Sequence, residues 1–376
     1  MRRTAPIKRC GRTLAVALVM IAVTMTALSA MAQPEQAGER TVTDMRGRSV
    51  SVPTTVNTLI ALDAGSLRLV SYLDATDKVI AVEDDGHGRE KSPYEFFALA
   101  TYRIAYPALR FLPSIGSAAN HEGIIAANPD LIISSATDVA KLDQLEKILG
   151  IPVFGVDVDV ELYDAERFYT QNEILGTVLG KEMRASELNE GIKALLSDLE
   201  RRRSAVKDPK RAYAGGMMFY GPADLLRTTG DFLPFDLVGA VNVMPTNPTG
   251  NRQPYMTSLE DLIAASPDYV FIDAANINLS RSGYQKNRAT LDTLVPAFRD
   301  GDVHTTFVYK YYGTNWENQL VNVFYVGSVL YPELYRDVTI VEKAEEIWAL
   351  FFSVPLSFAD VCEAQHIVPE RVDWFD

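Results

Sequence analysis

The chain has 376 residues, 47% of them hydrophobic and 23% charged, with 36 Lys+Arg against 49 Asp+Glu and a formal net charge of −13. That composition is ordinary for a globular protein and long enough for about two domains. The acid excess excludes a reader of nucleic-acid backbone, whose affinity rests on Lys and Arg neutralising phosphates, and it leaves no basic patch for anionic lipid.

Residues 1–32 read as a secretion leader. Arg2, Arg3, Lys8, Arg9 and Arg12 form a positive start without an acid, residues 14–23 are apolar, and Ala30-Met31-Ala32 is a small-x-small cleavage signal. The apolar run is too short to stay in a bilayer as a spanning helix. Cys10 lies ahead of it, so no cysteine follows where a lipid would be attached. An exported, periplasmic chain starting near Gln33 is expected, soluble and not membrane-embedded. Without the leader the balance becomes 31 Lys+Arg against 49 Asp+Glu, and Cys362 has no partner for an intrachain disulfide. It reads as a small buried apolar residue.

Residues 41–52 predict a hairpin turning at Met45-Arg46-Gly47-Arg48 and ended by Pro53. A strand at 58–62, a helix at 66–73 and a strand at 78–82 follow. Residues 83–113 are long, polar-aromatic and weakly periodic, and loops of that length are usually functional or disordered. Next come a strand at 131–134, a helix at 139–149 closed by Gly150, and a strand at 152–156. Strands alternating with helices at this spacing argue for a parallel sheet covered on both faces. From 163 to 206 no strand signal occurs. A helix to Leu179 breaks at Gly180, and a second, about 182–203, has Leu188, Ile192, Leu195, Leu196 and Leu199 on one stripe. At 1.5 Å per residue it is on the order of 30 Å long, the natural bridge between two lobes. The plan then repeats, with strands at 212–217, 269–272 and 303–308, a helix opening at 235–238, a helix at 316–330, and a helix at 341–352 before an exposed-looking tail. The expected architecture is α/β: two Rossmann-like lobes, 33–162 and 207–376, joined by a helical linker at 163–206.

One motif occurs twice. Asn120-His121-Glu122-Gly123-Ile124-Ile125-Ala126-Ala127-Asn128-Pro129-Asp130 returns as Ser258-Leu259-Glu260-Asp261-Leu262-Ile263-Ala264-Ala265-Ser266-Pro267-Asp268. Each copy reads as a helix of about two turns, a Pro-Asp turn and a buried strand. Glu122 and Glu260 lie 138 positions apart, about one small α/β domain. A carboxylate in a helix's first turn is favoured by the dipole, and Ser258 with Asp261 fits a capping box, so structure alone would account for these acids. Their matched placement suggests a matched pair of contacts.

Over nearly its whole mature length the chain resembles the substrate-binding proteins of ABC importers for ferric siderophores, cobalamin and haem, the class whose two lobes are joined by one long helix. The resemblance rests on Val42-Thr43-Asp44 with Gly47-Arg48 and Val52-Pro53, on Leu175-Gly176 with Leu179-Gly180-Lys181-Glu182, and on both Glu…Pro-Asp motifs. It implies that Glu122 and Glu260 dock against arginine pockets of a permease dimer served by its ATPase, with Asp261 as a further contact. It also implies reversible binding of a metal chelate, a ferric siderophore first, with cobalamin, haem or another metal complex as alternatives. No covalently bound cofactor is expected; the ligand itself would carry Fe3+ or another chelated metal. The stiff bridge implies small lobe movements.

In two-lobed α/β binders the cleft is lined by loops at the carboxyl ends of strands. Rings pack the faces of a flat anionic chelate while guanidinium groups bond its oxygens. The candidate ligand residues are therefore Arg89, Tyr94, Arg103, Tyr220 and Arg227, with Tyr311, Tyr312, Asn315 and Trp316 from the tyrosine-rich segment 309–317. Tyr220 or Tyr312 would be the residue to ligate a haem iron. The four histidines, His87, His121, His304 and His366, show no metal-ligand spacing. An exported hydrolase is the alternative from another class, but no Gly-x-Ser-x-Gly, phosphate loop or His-Glu-x-x-His occurs.

Overall fold

The computed structural model describes residues 38–83, 99–218, 221, 223–250 and 252–375. The chain divides into two compact units, Met1–Glu39 and Arg40–Asp376; both parallel sheets and all the described helices lie in the second.

The predicted hairpin forms from β1 (Glu39–Thr43) and β2 (Ser49–Pro53). Val50 and Val52 alternate inward, and Asp44 Oδ1 accepts from the N–H groups of Arg46 and Arg48 to close the turn. The first lobe continues through β3 (Leu59–Leu62), α1 (Ala64–Tyr72), β4 (Val79–Glu83), α2 (Thr101–Ala105), β5 (Ser114–Gly116), α3 (His121–Ala127), β6 (Leu131–Ser134), α4 (Val139–Leu149) and β7 (Val153–Gly155). These strands make one parallel sheet in the order β5-β4-β3-β6-β7. Every residue of β3, β6 and β7 is buried, which is why the sequence shows unbroken apolar runs there instead of alternation.

The linker holds α5 (Ala165–Leu179) and α6 (Glu182–Arg203), separated at Gly180 in the left-handed region (φ 68°). Helix α6 is not a bare rod. Asn172 Nδ2 donates to Asn189 Oδ1 at 2.9 Å to join α5 and α6. At its far end Arg202 holds Asp198 at 2.8 Å and Asp337 at 2.7 Å.

The second lobe contains β8 (Arg211–Gly215), β9 (Arg227–Thr228), α7 (Leu233–Val238), β10 (Val241–Asn242), β11 (Tyr255–Met256), α8 (Leu259–Ala265), β12 (Tyr269–Asp273), α9 (Ile277–Leu294), α10 (Pro296–Asp300) and β13 (Val303–Thr306). It is followed by α11 (Trp316–Leu330), α12 (Ile340–Phe352) and α13 (Phe358–Gln365). Its parallel sheet runs β10-β8-β12-β13. Helix α9 was not visible in the sequence because it buries only Ser280, Tyr284 and Leu291, too sparse a stripe to read as a period. One apolar cluster runs from Val50 and Leu59 through Leu188 and Ile192 of α6 and Trp348 and Phe351 of α12 to Ala212 and Phe271. Gly191 of α6 faces Leu350 of α12 so closely that a side chain there would overlap it.

The tail expected to be exposed is packed. Helix α13 buries Val361, Cys362 and Gln365. Beyond it the chain runs antiparallel along β13: Thr305 N–H donates to Glu370 O at 2.8 Å and Val372 N–H to Val303 O at 2.9 Å. The ring of Trp374 stacks on Tyr284 at 5.5 Å. This strap covers a sheet edge that would otherwise offer unpaired backbone groups. Deleting residues 367–376 removes buried Ile367, Val372 and Trp374. At roughly 1.5–3 kcal/mol for each large side chain, stability should fall by on the order of 5 kcal/mol. An unchanged denaturation midpoint would show that the strap adds nothing.

Candidate functional site: the cleft between the lobes

In the first lobe the strand exits are tied together by Asp63, which sits at φ 67°, ψ 159° as the N-cap of α1. Its carboxylate accepts from Ser66 N–H at 2.8 Å and from the Ser135 hydroxyl. Its own N–H donates to Glu83 Oε2 at 2.7 Å, while Glu83 Oε1 accepts from Ala118 N–H at 2.8 Å. A non-glycine residue in that backbone region costs about 1–3 kcal/mol and persists only where its surroundings hold it, as four strand exits do here. Arg46 reaches in from the hairpin, donating to Ser135 O at 3.0 Å and standing 3.6 Å from Asp157, which also pairs with Arg167 at 2.8 Å.

In the second lobe the corresponding acid is Asp273 at the end of β12. It accepts from Ala275 N–H at 3.0 Å, Tyr309 N–H at 3.4 Å and Met218 N–H at 3.5 Å, and burial pushes its carboxyl up to about 6. Among the described residues, no strand pairs with the segment leaving β13 at 307–309. Amides of α11 stand in for one: Asn322 exchanges two 2.9 Å bonds with Phe307, Asn315 donates to Val308 O at 3.2 Å and Gln319 to Tyr309 O at 3.2 Å.

The exits of the two sheets meet along a seam. Thr314 N–H donates to Val158 O at 2.9 Å, Trp316 Nε1–H to Val160 O at 2.8 Å, and Lys310 pairs with Glu161. Deeper in, the buried Arg68 of α1 donates to carbonyls of Tyr311, Tyr312 and Thr314, and the Tyr72 hydroxyl to Glu317. Burial raises the Glu317 carboxyl, with the Arg68 charge opposing it; burial and then Glu317 push the Tyr72 phenol well up. Between these contacts lies a narrow crevice with no room for a water molecule, lined by Gly65, Arg68, Asp157, Val158, Phe168 and Trp316 among others.

Several expected ligand residues are spent on this seam. Trp316 is 2% exposed, and its ring stacks on Phe168 at 3.8 Å while its N–H is taken by Val160, so it belongs to the core. Asn315 is fully enclosed and bonded to the β13 exit, and Tyr311 is buried edge-on to Tyr312 at 4.9 Å. Arg103 is buried against the Tyr102 ring, 5.6 Å from its centroid, and Arg227 of β9 donates to Gly221 O at 2.7 Å. Of the tyrosine loop only Tyr312 presents a large surface, 42% exposed. Tyr163, two residues beyond Glu161, is 57% exposed, with the Arg252 guanidinium 4.1 Å from its ring centroid. Arg89, Tyr94, Tyr220 and His87 lie outside the described residues. Glu122 and Glu260 are exposed in the first turns of α3 and α8, and Asp261 closes the expected capping box with Ser258. Asp63, Glu83 and Asp273 stand at the carboxyl ends of strands, where the sequence places the cleft loops, but nothing in it marks them as the residues that tie the exits together, and Arg68 was not among its candidates. A lone Arg inside the apolar stretch 67–70 is the one signal that pointed to it.

A family model for periplasmic binding proteins matches residues 113–306, just over half of the chain. The chain belongs to the periplasmic binding protein family. It is similar to the molybdate-binding protein MolA of Haemophilus influenzae, 22% identical over 346 residues that cover 84% of this chain and 91% of MolA. The solved structure of MolA bound to molybdate matches with a TM-score of 0.65 at 19% identity, covering 85% of this chain and 99% of that one. A periplasmic solute binding protein from Veillonella parvula gives 0.66 at 15% identity, covering 86% and 96%. Helicobacter pylori CeuE with nickel and histidine gives 0.59 at 17% identity, covering 86% and 98%. These likenesses show the two-lobed fold.

Trp316→Ala should cost about 3–5 kcal/mol, as large core truncations do, whereas Tyr312→Ala should change stability by less than about 1 kcal/mol. Equal losses in urea titrations would contradict the division between seam and surface.

Proposed function

We propose that this protein captures a metal-bearing small solute in the cleft between its lobes, in the periplasm, and delivers it to an ABC permease. The observation that carries this reading is the pair of exposed tyrosines, Tyr163 and Tyr312, on the two strand exits that meet at the seam. Rings so placed suit the apolar faces of a chelate, and the family supplies the mode of action, binding without chemistry. Two of the similar structures hold metal-bearing solutes, molybdate and nickel with histidine. Among the described seam cations, Arg46 and Arg167 pair with Asp157, and Lys310 pairs with Glu161. Arg46 and Arg167 share one carboxylate, so the seam keeps a partial positive charge, and cations held in this way favour a chelate whose charge is spread over several oxygens, such as a ferric siderophore, over a compact dianion. The second reading, an oxyanion, is favoured by the likeness to MolA.

Elemental analysis of protein purified without chelators, followed by calorimetric titration with a ferric hydroxamate, haemin, cobalamin, nickel–histidine and molybdate, tests the proposal. Binding of one metal-bearing solute is expected, weakened about tenfold or more by Tyr312→Ala if its ring packs the ligand. Molybdate alone binding would select the oxyanion reading, and binding of none of the five solutes, with no metal carried through purification, would reject both.

The permease contacts are assigned to Glu122 and Glu260, exposed at matched places on the two lobes, with Asp261 beside the second. Glu122→Arg with Glu260→Arg should abolish uptake in cells while leaving solute affinity within about twofold, because exposed first-turn carboxylates act at the rim. Loss of affinity equal to that of Tyr312→Ala would overturn this assignment.

A further inference from the structure

Arg68 lies in the middle of α1, 1% exposed, and reaches across to a turn of the other lobe. One guanidinium takes the carbonyls of Tyr311, Tyr312 and Thr314, the last two at 3.2 and 3.4 Å. Gly65, one turn earlier on the same face, packs so close to the Tyr312 carbonyl that a Cβ there would overlap it. The turn itself is unusual. Tyr312 is left-handed at φ 49° and Gly313 follows at φ 92°, an arrangement in which Tyr311 N–H donates to Gly313 O at 3.1 Å. A bulky residue in the left-handed region is disfavoured unless something holds it. Three carbonyl oxygens gathered around one side chain repel one another without a donor among them, and the two arms of the guanidinium fork divide them, Nη1 for Tyr312 and Thr314 and Nη2 for Tyr311.

We propose that Arg68 is a positioning residue for the cleft. From the first lobe it sets the conformation of the second lobe's tyrosine turn, so the surface presented by Tyr312 is formed only while the lobes are apposed. The functional weight of this inference rests on reading the cleft as the solute site, but its test involves no solute, so either can fail without the other.

Hydrogen exchange with peptide-resolved mass spectrometry on the ligand-free protein tests it, well below the melting temperature. Arg68→Gln should accelerate exchange in residues 309–316 by about tenfold or more, and Arg68→Lys, which keeps the charge and loses the fork, should do so to a smaller degree. Leu291→Ala, in the separate apolar cluster beneath α9, lowers stability without touching the turn and should leave its exchange unchanged. If Arg68→Gln does not fold, Arg68→Lys carries the comparison. Unchanged exchange in the folded Arg68 variants, or the same acceleration in Leu291→Ala, would overturn the proposal.

Discussion

The seam depends on burying opposite charges from different lobes in one place. Arg68 and Glu317 are both removed from water, and each is costly to leave uncompensated. Arg68 donates to main-chain carbonyls of the opposite lobe, and Glu317 accepts from the hydroxyl of Tyr72, one turn further along α1. Sliding the lobes past each other would strand both charges together. That makes the relation between the lobes discrete, with one register in which these bonds are made together. Trp316 stacking on Phe168 and the two main-chain bonds from 158 and 160 belong to the same register.

Most of the fold was legible because its signals are local. Helix α6 begins and ends where the periodicity placed it, and α4 ends at a glycine in the left-handed region. The buried strands announce themselves as apolar runs. The failures are non-local: α9 has too few buried positions to show a period, and the tail looks exposed because its partners in β13 lie some sixty residues upstream.

The segments that meet at the seam were legible in the sequence, and the contacts of their individual side chains were not. The sequence located the tyrosine-rich exit of β13 at the cleft, and the strand ends do meet there. Composition could not tell a side chain that faces outward from one that closes the protein on itself, and Trp316 and Asn315 fall in the second group. The acids that organise the strand exits, Asp63 and Asp273, carry no motif, because the bonds that give them this role, from Ser135 to Asp63 and from Met218 and Tyr309 to Asp273, are brought together only by the folded sheets. Arg68 illustrates the same limit. Nothing within α1 says that its partners are three carbonyls more than 240 positions away.

The packing of α12 has a consequence for how the chain assembles. Phe351 meets Tyr72 with ring centroids 4.9 Å apart, across 279 residues of sequence, and Arg184 of α6 donates to both Tyr72 O and Leu350 O. The first lobe therefore lacks part of its own core until a helix from beyond the second lobe has arrived. Closing so long a loop is slow relative to local structure formation, and the apolar face of α1 stays open in the meantime. An incomplete chain is thus kept from settling into a finished lobe. It also means that the lobes, though architecturally alike, are not separable modules. Cut apart at the linker, each would carry an unfilled surface shaped for the other.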